Sequence, residues 1–288
     1  MANDKKPKYN EIVFSEEQEK QIIDMYTNQN ISTVKIGKYF GVNHHRIAKA
    51  LDKYNIPRTG VGQRKYLLNE HYFDVIDTPN KAYILGFFYA DGCNFPKKST
   101  VSMSLEEKDK EILEKIRLEI GSERPLEFIE QSKRKDENND YHYNDMWRLL
   151  LFSTYMCKIL EQHGMTPKKS LTLQFPKHLD DSLLSHFVRG FFDGDGSYCP
   201  HYTKKGWFRP LVTITSTEDF CKDCLDVIRK QAGIEGGGIY EASSHNGITK
   251  VLSISGTNQI KNFFEWLYKD AELYMKRKHD LYKQYLAA

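Results

Sequence analysis

A long internal repeat constrains this chain more than any other feature. Residues 83–92 read YILGFFYADG, and residues 187–196, 104 positions later, read FVRGFFDGDG. Gly-Phe-Phe and Asp-Gly are identical at matching places, and similar patterns of strands and helices follow each copy. Each copy predicts an α-β-β-α-β-β-α unit, so that one chain imitates a two-fold symmetric dimer. The predicted fold class is therefore α+β, with two pseudo-symmetric repeats.

The hydrophobic patterns also place boundaries within this arrangement. We expect the first repeat over residues 80–179 and the second over residues 180–288. The pattern predicts strands 100–105, 126–131, 147–152, 211–215, 238–242 and 251–254, and helices 109–120 and 218–232. A later helix in each repeat should begin with Thr154 or Thr257 as its N-cap. Each copy ends in a basic cluster, Lys168-Lys169 or Lys276-Arg277-Lys278.

Small residues recur at helical spacing within both motifs. Gly86 and Ala90 lie four residues apart, as do Gly190 and Gly194. This spacing leaves a smooth stripe on each helix, so two such helices should pack at or below about 8 Å between axes. Asp91 and Asp195 follow at the helix C-termini, and the pseudo-symmetry should bring their carboxylates together. Gly92 and Gly196 are expected to be left-handed C-caps.

Two carboxylates beside the negative ends of two helix dipoles repel each other. Divalent cations would relieve this repulsion, and Mg²⁺ commonly takes one or two carboxylates together with phosphate oxygens and water. Such a site suits in-line hydrolysis of a phosphodiester. A single Asp-Gly often does no more than end a helix, but two matched occurrences in matched helices argue for the metal site.

The duplicated motif resembles that of the LAGLIDADG homing endonucleases, in their monomeric two-motif form, over about residues 80–288. The resemblance implies a saddle of two β-sheets that straddles double-stranded DNA, and Mg²⁺-dependent double-strand cleavage of a long site leaving short 3′ overhangs. It implies catalytic and metal-binding acids at Asp91 and Asp195, with Gly92 and Gly196 in the same metal set. Lys169 and Lys278 match basic residues near the cleavage centre. Tyr89 replaces the aspartate that the second motif keeps as Asp193, a difference expected to spare the chemistry.

Residues 1–60 predict a separate helix-turn-helix domain, followed by a linker over residues 61–79. Ser15 and Gln18 form a capping box, Ser32 can begin a second helix, and Gly41-Val42-Asn43 predicts a turn before a third. Residues 43–65 hold six basic residues and one acid. The expected DNA contacts of this domain are Asn43, His44, His45, Arg46, Lys49, Lys53 and Arg58. A solvated face of a helical bundle is the alternative interpretation.

Polar and basic side chains along the predicted sheets should read base edges. The candidates are Gln131, Lys133, Arg134, Arg148, Lys204, Lys205 and Arg209; each could equally be a solvated hairpin residue. The formal charge is +3, and residues 82–288 carry 29 basic and 29 acidic residues. A neutral nuclease core would have to separate its charges, so we expect basic sheets toward DNA and acidic helices away from it.

Composition excludes several classes. No apolar run approaches the length of a membrane span, the polar start is unlike a signal peptide, and five cysteines do not suggest a disulfide framework. Cys221 and Cys224 are more typical of helix packing than of a zinc site. From the resemblance we expect a cytoplasmic protein of bacterial or phage origin that belongs to a mobile element, with a gene that either lies in an intron or stands free. A DNA-binding regulator and an RNA maturase on the same fold remain alternatives.

Overall fold

The computed structural model describes residues 13–29, 31–56, 58, 66–131, 143–200, 202, 205–206, 208–242 and 249–286. The chain divides into two compact units, residues 1–65 and 66–288. Among the helices of the described residues, none combines the length and apolar character that a bilayer crossing needs.

The first unit is a small bundle of three helices, α1 (Glu16–Thr27), α2 (Thr33–Tyr39) and α3 (His44–Lys53). The predicted caps are confirmed, because Ser15 and Gln18 form the capping box and the Ser32 and Asn43 side chains accept backbone N–H groups. Gly41 has a φ of +67°, which suits a glycine in the connection between α2 and α3. Ile22, Ile36, Ile47 and Leu51 form the buried centre.

The linker predicted for residues 61–79 differs from the structure over residues 66–79, whereas residues 61–65 lie outside the described residues. The second unit begins at Tyr66, and Tyr72, Phe73 and Ile76 are buried in its core. Burial of two aromatic rings and a branched aliphatic side chain stabilises this segment as part of the unit. The segment that precedes the first motif is therefore structural, and α4 begins at Pro79 directly after it.

The second unit consists of two successive copies of one arrangement, which confirms the predicted α+β repeats. The first copy comprises α4 (Pro79–Asp91), β1 (Gly92–Phe95), β2 (Thr100–Glu106), α5 (Lys110–Glu119), β3 (Glu127–Ile129), β4 (Met146–Phe152) and α6 (Thr154–Gln162). The second comprises α7 (Leu184–Asp195), β5 (Ser197–Cys199), β6 (Leu211–Thr217), α8 (Glu218–Ala232), β7 (Gly238–Glu241), β8 (Thr249–Ser255) and α9 (Thr257–Tyr268), followed by α10 (Lys276–Leu286).

The two sheets have the same topology. Their antiparallel strand orders are β1-β2-β4-β3 and β5-β6-β8-β7. One face of each sheet is buried because apolar residues alternate along the central strands, such as Val101 and Met103 in β2 and Leu252 and Ile254 in β8. Helices cover these inner faces, and the other face of each sheet carries the outward side chains.

Two expected helix starts shift by one residue. The side chain of Ser153, rather than Thr154, accepts the capping hydrogen bond from the backbone of Met156. Gly256, rather than Thr257, occupies the N-cap position of α9, with a φ of +96° that favours glycine. Thr154 and Thr257 are instead the first residues of α6 and α9.

Close contact between α4 and α7 joins the repeats. A Cβ on Gly86 would lie 2.9 Å from the carbonyl carbon of Phe187, and one on Gly190 would lie 2.8 Å from the backbone nitrogen of Phe87. Both positions would also place the added carbon well inside contact with a backbone oxygen of the opposite helix. The predicted stripe of small residues lies where the two helix backbones meet, with Ala90 facing Gly194.

Replacing Gly190 with alanine should destabilise the second unit. The added methyl group meets backbone atoms of α4, which cannot move without shifting the whole helix, so we expect a loss of about 1–3 kcal/mol or more in the free energy of unfolding. This loss should outweigh the gain of up to about 1 kcal/mol from helix propensity. Urea unfolding measures it, with Ser185→Ala on the same helix as the control for propensity. Equal stability of Gly190→Ala and Ser185→Ala would contradict the packing.

Candidate active site

The paired motif helices end together and carry one carboxylate each. Asp91 is the last residue of α4, and Asp195 is the last residue of α7. A Cβ on Gly194, the neighbour of Asp195, would lie 2.8 Å from Oδ2 of Asp91. Asp91 is partly buried, and Asp195 is exposed to solvent. The geometry therefore brings both predicted acids to one end of the helix pair.

Gly92 and Gly196 do not adopt the left-handed conformation expected of them. Their φ and ψ angles are −76° and 148°, and −71° and 152°, which is extended backbone leading directly into β1 and β5. Glycine is favoured at these two positions because a side chain would not fit, and not because of the backbone φ angle. A Cβ on Gly92 would lie 2.5 Å from the ring of Phe88 and 2.8 Å from the Met165 side chain, and Gly196 is crowded in the same way by Phe192.

Lys169 and Lys278 occupy equivalent positions at the two helix ends. The Lys169 ammonium donates hydrogen bonds to the carbonyls of Ala90 (3.0 Å) and Gly92 (2.8 Å). The Lys278 ammonium donates to the carbonyls of Phe192 (2.9 Å) and Gly196. Both lysines are buried, so each places a positive charge at the negative end of a helix dipole.

The charges of this cluster perturb one another. Burial raises the pKa of the Asp91 carboxyl to about 6, and the charge of Asp195 adds to the rise, while Lys169 and Lys278 oppose it. Burial also raises the pKa of Asp195, but water at its exposed surface screens part of this effect. Burial lowers the pKa of Lys169, and it lowers the pKa of Lys278 to about 8. Matched acids and bases with displaced pKa values are typical of reactive sites.

These residues fit a divalent cation that is shared with a bound phosphate. Two carboxylates that repel each other are the donors that Mg²⁺ accepts when phosphate oxygens and water complete its shell. The described residues contain no group of three or more His, Cys, Asp or Glu side chains arranged for a metal, so protein ligands alone would not complete such a shell. The carbonyls of Gly92 and Gly196 already accept lysine hydrogen bonds, which leaves Asp91 and Asp195 as the stronger candidates.

Arg277 is a residue of this region that the sequence pattern did not single out. Its Nε donates to both carboxylate oxygens of Asp109, at 3.1 Å each, and its charge lowers the pKa of Asp91. The ion pair joins the second repeat, through α10, to the residue that precedes α5 in the first. The basic run Lys276-Arg277-Lys278 was visible in the sequence, but the sequence could not show which of its three side chains faces the acids.

The outward faces of the sheets are not basic over the described strands. In the first sheet they carry Arg148 beside Glu106 and Glu127, and in the second sheet the outward positions carry only uncharged residues. The expected basic sheet surface is therefore wrong for these strands. Hydroxyl groups dominate instead, at Ser102, Ser104, Thr213, Thr215, Ser253 and Ser255.

The predicted base-reading residues are dispersed. Arg148 is partly buried and its Nε donates to Ser104 Oγ (3.1 Å), while the Gln131 amide contacts the Met146 sulfur at 2.7 Å. Lys205 and Arg209 are exposed in the connection between β5 and β6. Lys97 and Lys98 lie in the matching connection between β1 and β2, and the sequence pattern did not single them out. Lys133, Arg134 and Lys204 lie outside the described residues.

The first unit exposes part of its predicted DNA-binding set. Asn43, His44, His45 and Lys49 are exposed around the start of α3, and Arg46 is partly buried. Lys53 instead pairs with Glu19, a buried carboxylate of α1, at 2.7 Å, and Arg58 pairs with Asp52 at 2.8 Å. These two basic residues therefore contribute to contacts within the unit, which the sequence alone did not indicate.

Solved structures similar to this chain are LAGLIDADG homing endonucleases. I-GzeII in complex with its DNA target is 14% identical, with a TM-score of 0.48, and the match covers 73% of this chain and 89% of that one. I-LtrWI bound to target DNA is 13% identical, with a TM-score of 0.44, covering 75% and 90%. I-AabMI bound to uncleaved DNA is 13% identical, with a TM-score of 0.46, covering 73% and 90%.

No protein-family model and no curated protein matches the sequence. The TM-scores of these three structures lie below 0.5 and the sequence identities are low. The proposed function therefore rests on the chain's own residues.

Asp91 should make the stability of the protein depend on pH. Its pKa of about 6 exceeds the ordinary value, so the folded state binds more protons than the unfolded state between about pH 4 and 6, and stability falls as the pH rises through this range. Asp91→Asn removes the buried charge, and above pH 6 the variant should be more stable than the wild type by about 1–3 kcal/mol.

Thermal unfolding between pH 4 and 8 measures this difference, which should vanish near pH 4. Asp195→Asn is the matched control and should give a smaller gain because Asp195 is exposed. A variant Asp91→Asn that is no more stable than wild type at pH 8 would contradict the buried charge.

Proposed function

We propose that this protein is a site-specific endonuclease that hydrolyses both strands of double-stranded DNA with Mg²⁺, at a long recognition site, and leaves short 3′ overhangs. One observation carries the proposal: two equivalent centres, Asp91 with Lys169 and Asp195 with Lys278, lie at the joined ends of α4 and α7. Two centres related by pseudo-symmetry match the two antiparallel strands of a duplex, which are themselves related by two-fold symmetry.

In this mechanism Asp91 and Asp195 would hold the cations. Bound Mg²⁺ lowers the pKa of water and stabilises the charge on a leaving oxygen. Lys169 and Lys278 supply positive charge beside the reacting phosphates, and their hydrogen bonds to helix carbonyls fix them in place before DNA binds. Burial of Asp91 excludes water from one side of the centre, which strengthens its electrostatic interactions.

We further propose that the hydroxyl-rich outer faces of the sheets contact base edges, and that exposed basic residues at the strand connections contact phosphates. Serine and threonine can hydrogen-bond to several bases, whereas Lys97, Lys98, Lys205 and Arg209 suit the backbone. The protein would act as a monomer, because one chain supplies both centres.

Two other functions share the fold. A DNA-binding regulator would need no carboxylates at the helix ends, so the retained Asp91 and Asp195, with their lysines, favour a nuclease over a regulator. An RNA maturase activity could coexist with these acids. Selection of cleaved duplexes from a randomised library, with Mg²⁺ or with a chelator, distinguishes a nuclease from the other two, since a regulator or a maturase without nuclease activity would release no cut DNA.

Asp91→Asn and Asp195→Asn should each abolish double-strand cleavage while leaving DNA binding largely intact. Either change removes a negative charge that holds a cation, and we expect the cleavage rate to fall by at least about 100-fold. Single-turnover cleavage of the selected duplex and a binding titration separate the two effects. Asp181→Asn, at an exposed carboxylate that pairs with Lys230, is the control and should cut normally. Cleavage by either active-site variant at the wild-type rate would show the metal assignment to be wrong.

The first unit is proposed to bind DNA through α3 as a helix-turn-helix. The combined change His44→Ala, His45→Ala and Lys49→Ala should weaken binding of the full chain, and the slope of log K against log salt should fall by about 1 for each phosphate that the variant no longer neutralises. Lys20→Ala, an exposed lysine on α1, is the control. An unchanged affinity and salt slope in the triple variant would leave this unit with no part in DNA binding through α3.

A further inference from the structure

Asp193 lies on α7, two residues before Asp195, and is completely buried. Three donors reach its carboxylate: the hydroxyl of Tyr83 (2.9 Å), the hydroxyl of Tyr268 (2.5 Å) and the backbone N–H of Met275 (2.7 Å). These donors come from α4, from α9 and from the residue that precedes α10. A buried carboxylate with three donors is tied to all of them, because losing one leaves a costly unpaired charge.

The bond from Met275 bears on the candidate active site. α10 begins at the next residue and carries Lys278 in its first turn. One turn earlier on α7, the Nε of Arg189 donates to the Leu273 carbonyl at 3.0 Å. Lys278 itself donates to the carbonyl of Phe192, the neighbour of Asp193. Residues 273–278 are therefore attached to α7 at three points, and along this segment the bond from Met275 to Asp193 is the middle one.

Tyr89 takes the place of Asp193 in the first repeat and makes the equivalent attachment, but it donates a hydrogen bond where Asp193 accepts one. It is 2% exposed, and its hydroxyl donates to the carbonyl of His163, the residue at the C-terminal end of α6. A Cβ on the next residue, Gly164, would collide with this hydroxyl. The segment that begins there leads to Lys169. An accepting carboxylate in one repeat and a donating hydroxyl in the other thus hold corresponding segments.

We propose that Asp193 and Tyr89 are positioning residues, each fastening to its own motif helix the segment that delivers Lys278 or Lys169 to the helix end. The two centres are then held in place independently of each other. The effect on cleavage rests on the proposed function, whereas the attachment of each lysine is a property of the fold and is testable without DNA.

The exposure of each lysine to a small amine-reactive acylating reagent tests the attachment directly. In the full chain without DNA, Asp193→Ala should raise the labelling rate of Lys278 about tenfold, since removal of a buried hydrogen bond favours local opening, and should leave Lys169 unchanged. Tyr89→Phe should do the reverse. Peptide mass spectrometry measures both sites in one sample.

Tyr72→Phe is the matched control for the labelling experiment. It also removes a hydroxyl from a buried tyrosine of the same core, but this hydroxyl bonds to Glu119 on α5, at 3.3 Å. Neither lysine should respond to it. If Asp193→Ala and Tyr89→Phe each expose both lysines equally, or expose neither, the proposed positioning is wrong. Should Asp193→Ala fail to fold, Tyr89→Phe alone decides by whether Lys169 responds and Lys278 does not.

Strand-resolved cleavage of a duplex that the wild type cuts provides the second test. Under single-turnover conditions, Asp193→Ala should slow the cut of one strand about 100-fold, the scale expected when a catalytic group is misplaced by about 1 Å. Tyr89→Phe should slow the other strand, and neither variant should change the Kd for DNA. Asp193→Asn should recover much of the rate that Asp193→Ala loses, because its amide oxygen can still accept the Met275 N–H.

Equal slowing of both strands, or a loss of affinity that accounts for the slower rate, would overturn the proposal. A wild-type protein that cuts no duplex would instead refute the proposed function, and the labelling result would still decide whether these residues hold the lysines.

Discussion

The contact of two helix backbones at Gly86 and Gly190 determines most of what this protein can do. Because neither residue has a side chain, each helix approaches the carbonyl groups of the other, and the two helices end side by side. Each helix continues directly into the first strand of its own sheet, so the same contact sets where both sheets begin. A wider separation of the helices would move the two carboxylates apart and leave two unrelated helix ends.

Bringing the helix ends together creates an electrostatic problem that the lysines only partly solve. Two carboxylates and two helix C-termini are negative. The buried ammonium groups of Lys169 and Lys278 lie beside them and offset part of this negative charge. Burial and the charge of Asp195 raise the pKa of Asp91 to about 6 although both lysines oppose the rise, so the lysines offset these two effects only in part. The core as a whole is neutral, yet its charges are separated between the centre, the strand connections and the helices instead of between two faces of the sheets.

Much of this fold could be predicted from the repeat, because a pattern of strands and helices that occurs twice in one chain is seldom accidental. Asp91, Asp195 and the glycine stripe followed from helical spacing alone. The conformation of Gly92 and Gly196 did not, since composition cannot tell a left-handed cap from an extended residue crowded by Phe88 or Phe192. Nor could the sequence reveal that Lys53 neutralises a buried Glu19, because ion pairing depends on the distance between two helices.

The residues on either side of the helix pair also differ between the two halves. Tyr83 faces Asp193 with a hydrogen bond, whereas Phe187, at the position matching Tyr83, packs edge-on against Tyr89 at 5.1 Å between ring centroids. Each of these pairs joins one residue of the first repeat to one of the second, so each pair needs both of the different repeats. A homodimer made from two second repeats would set Phe187 beside each buried Asp193 and remove one of its donors. The two halves are therefore not interchangeable, because a protein with two identical halves would lose both the hydrogen bond from Tyr83 to Asp193 and the packing of Phe187 on Tyr89.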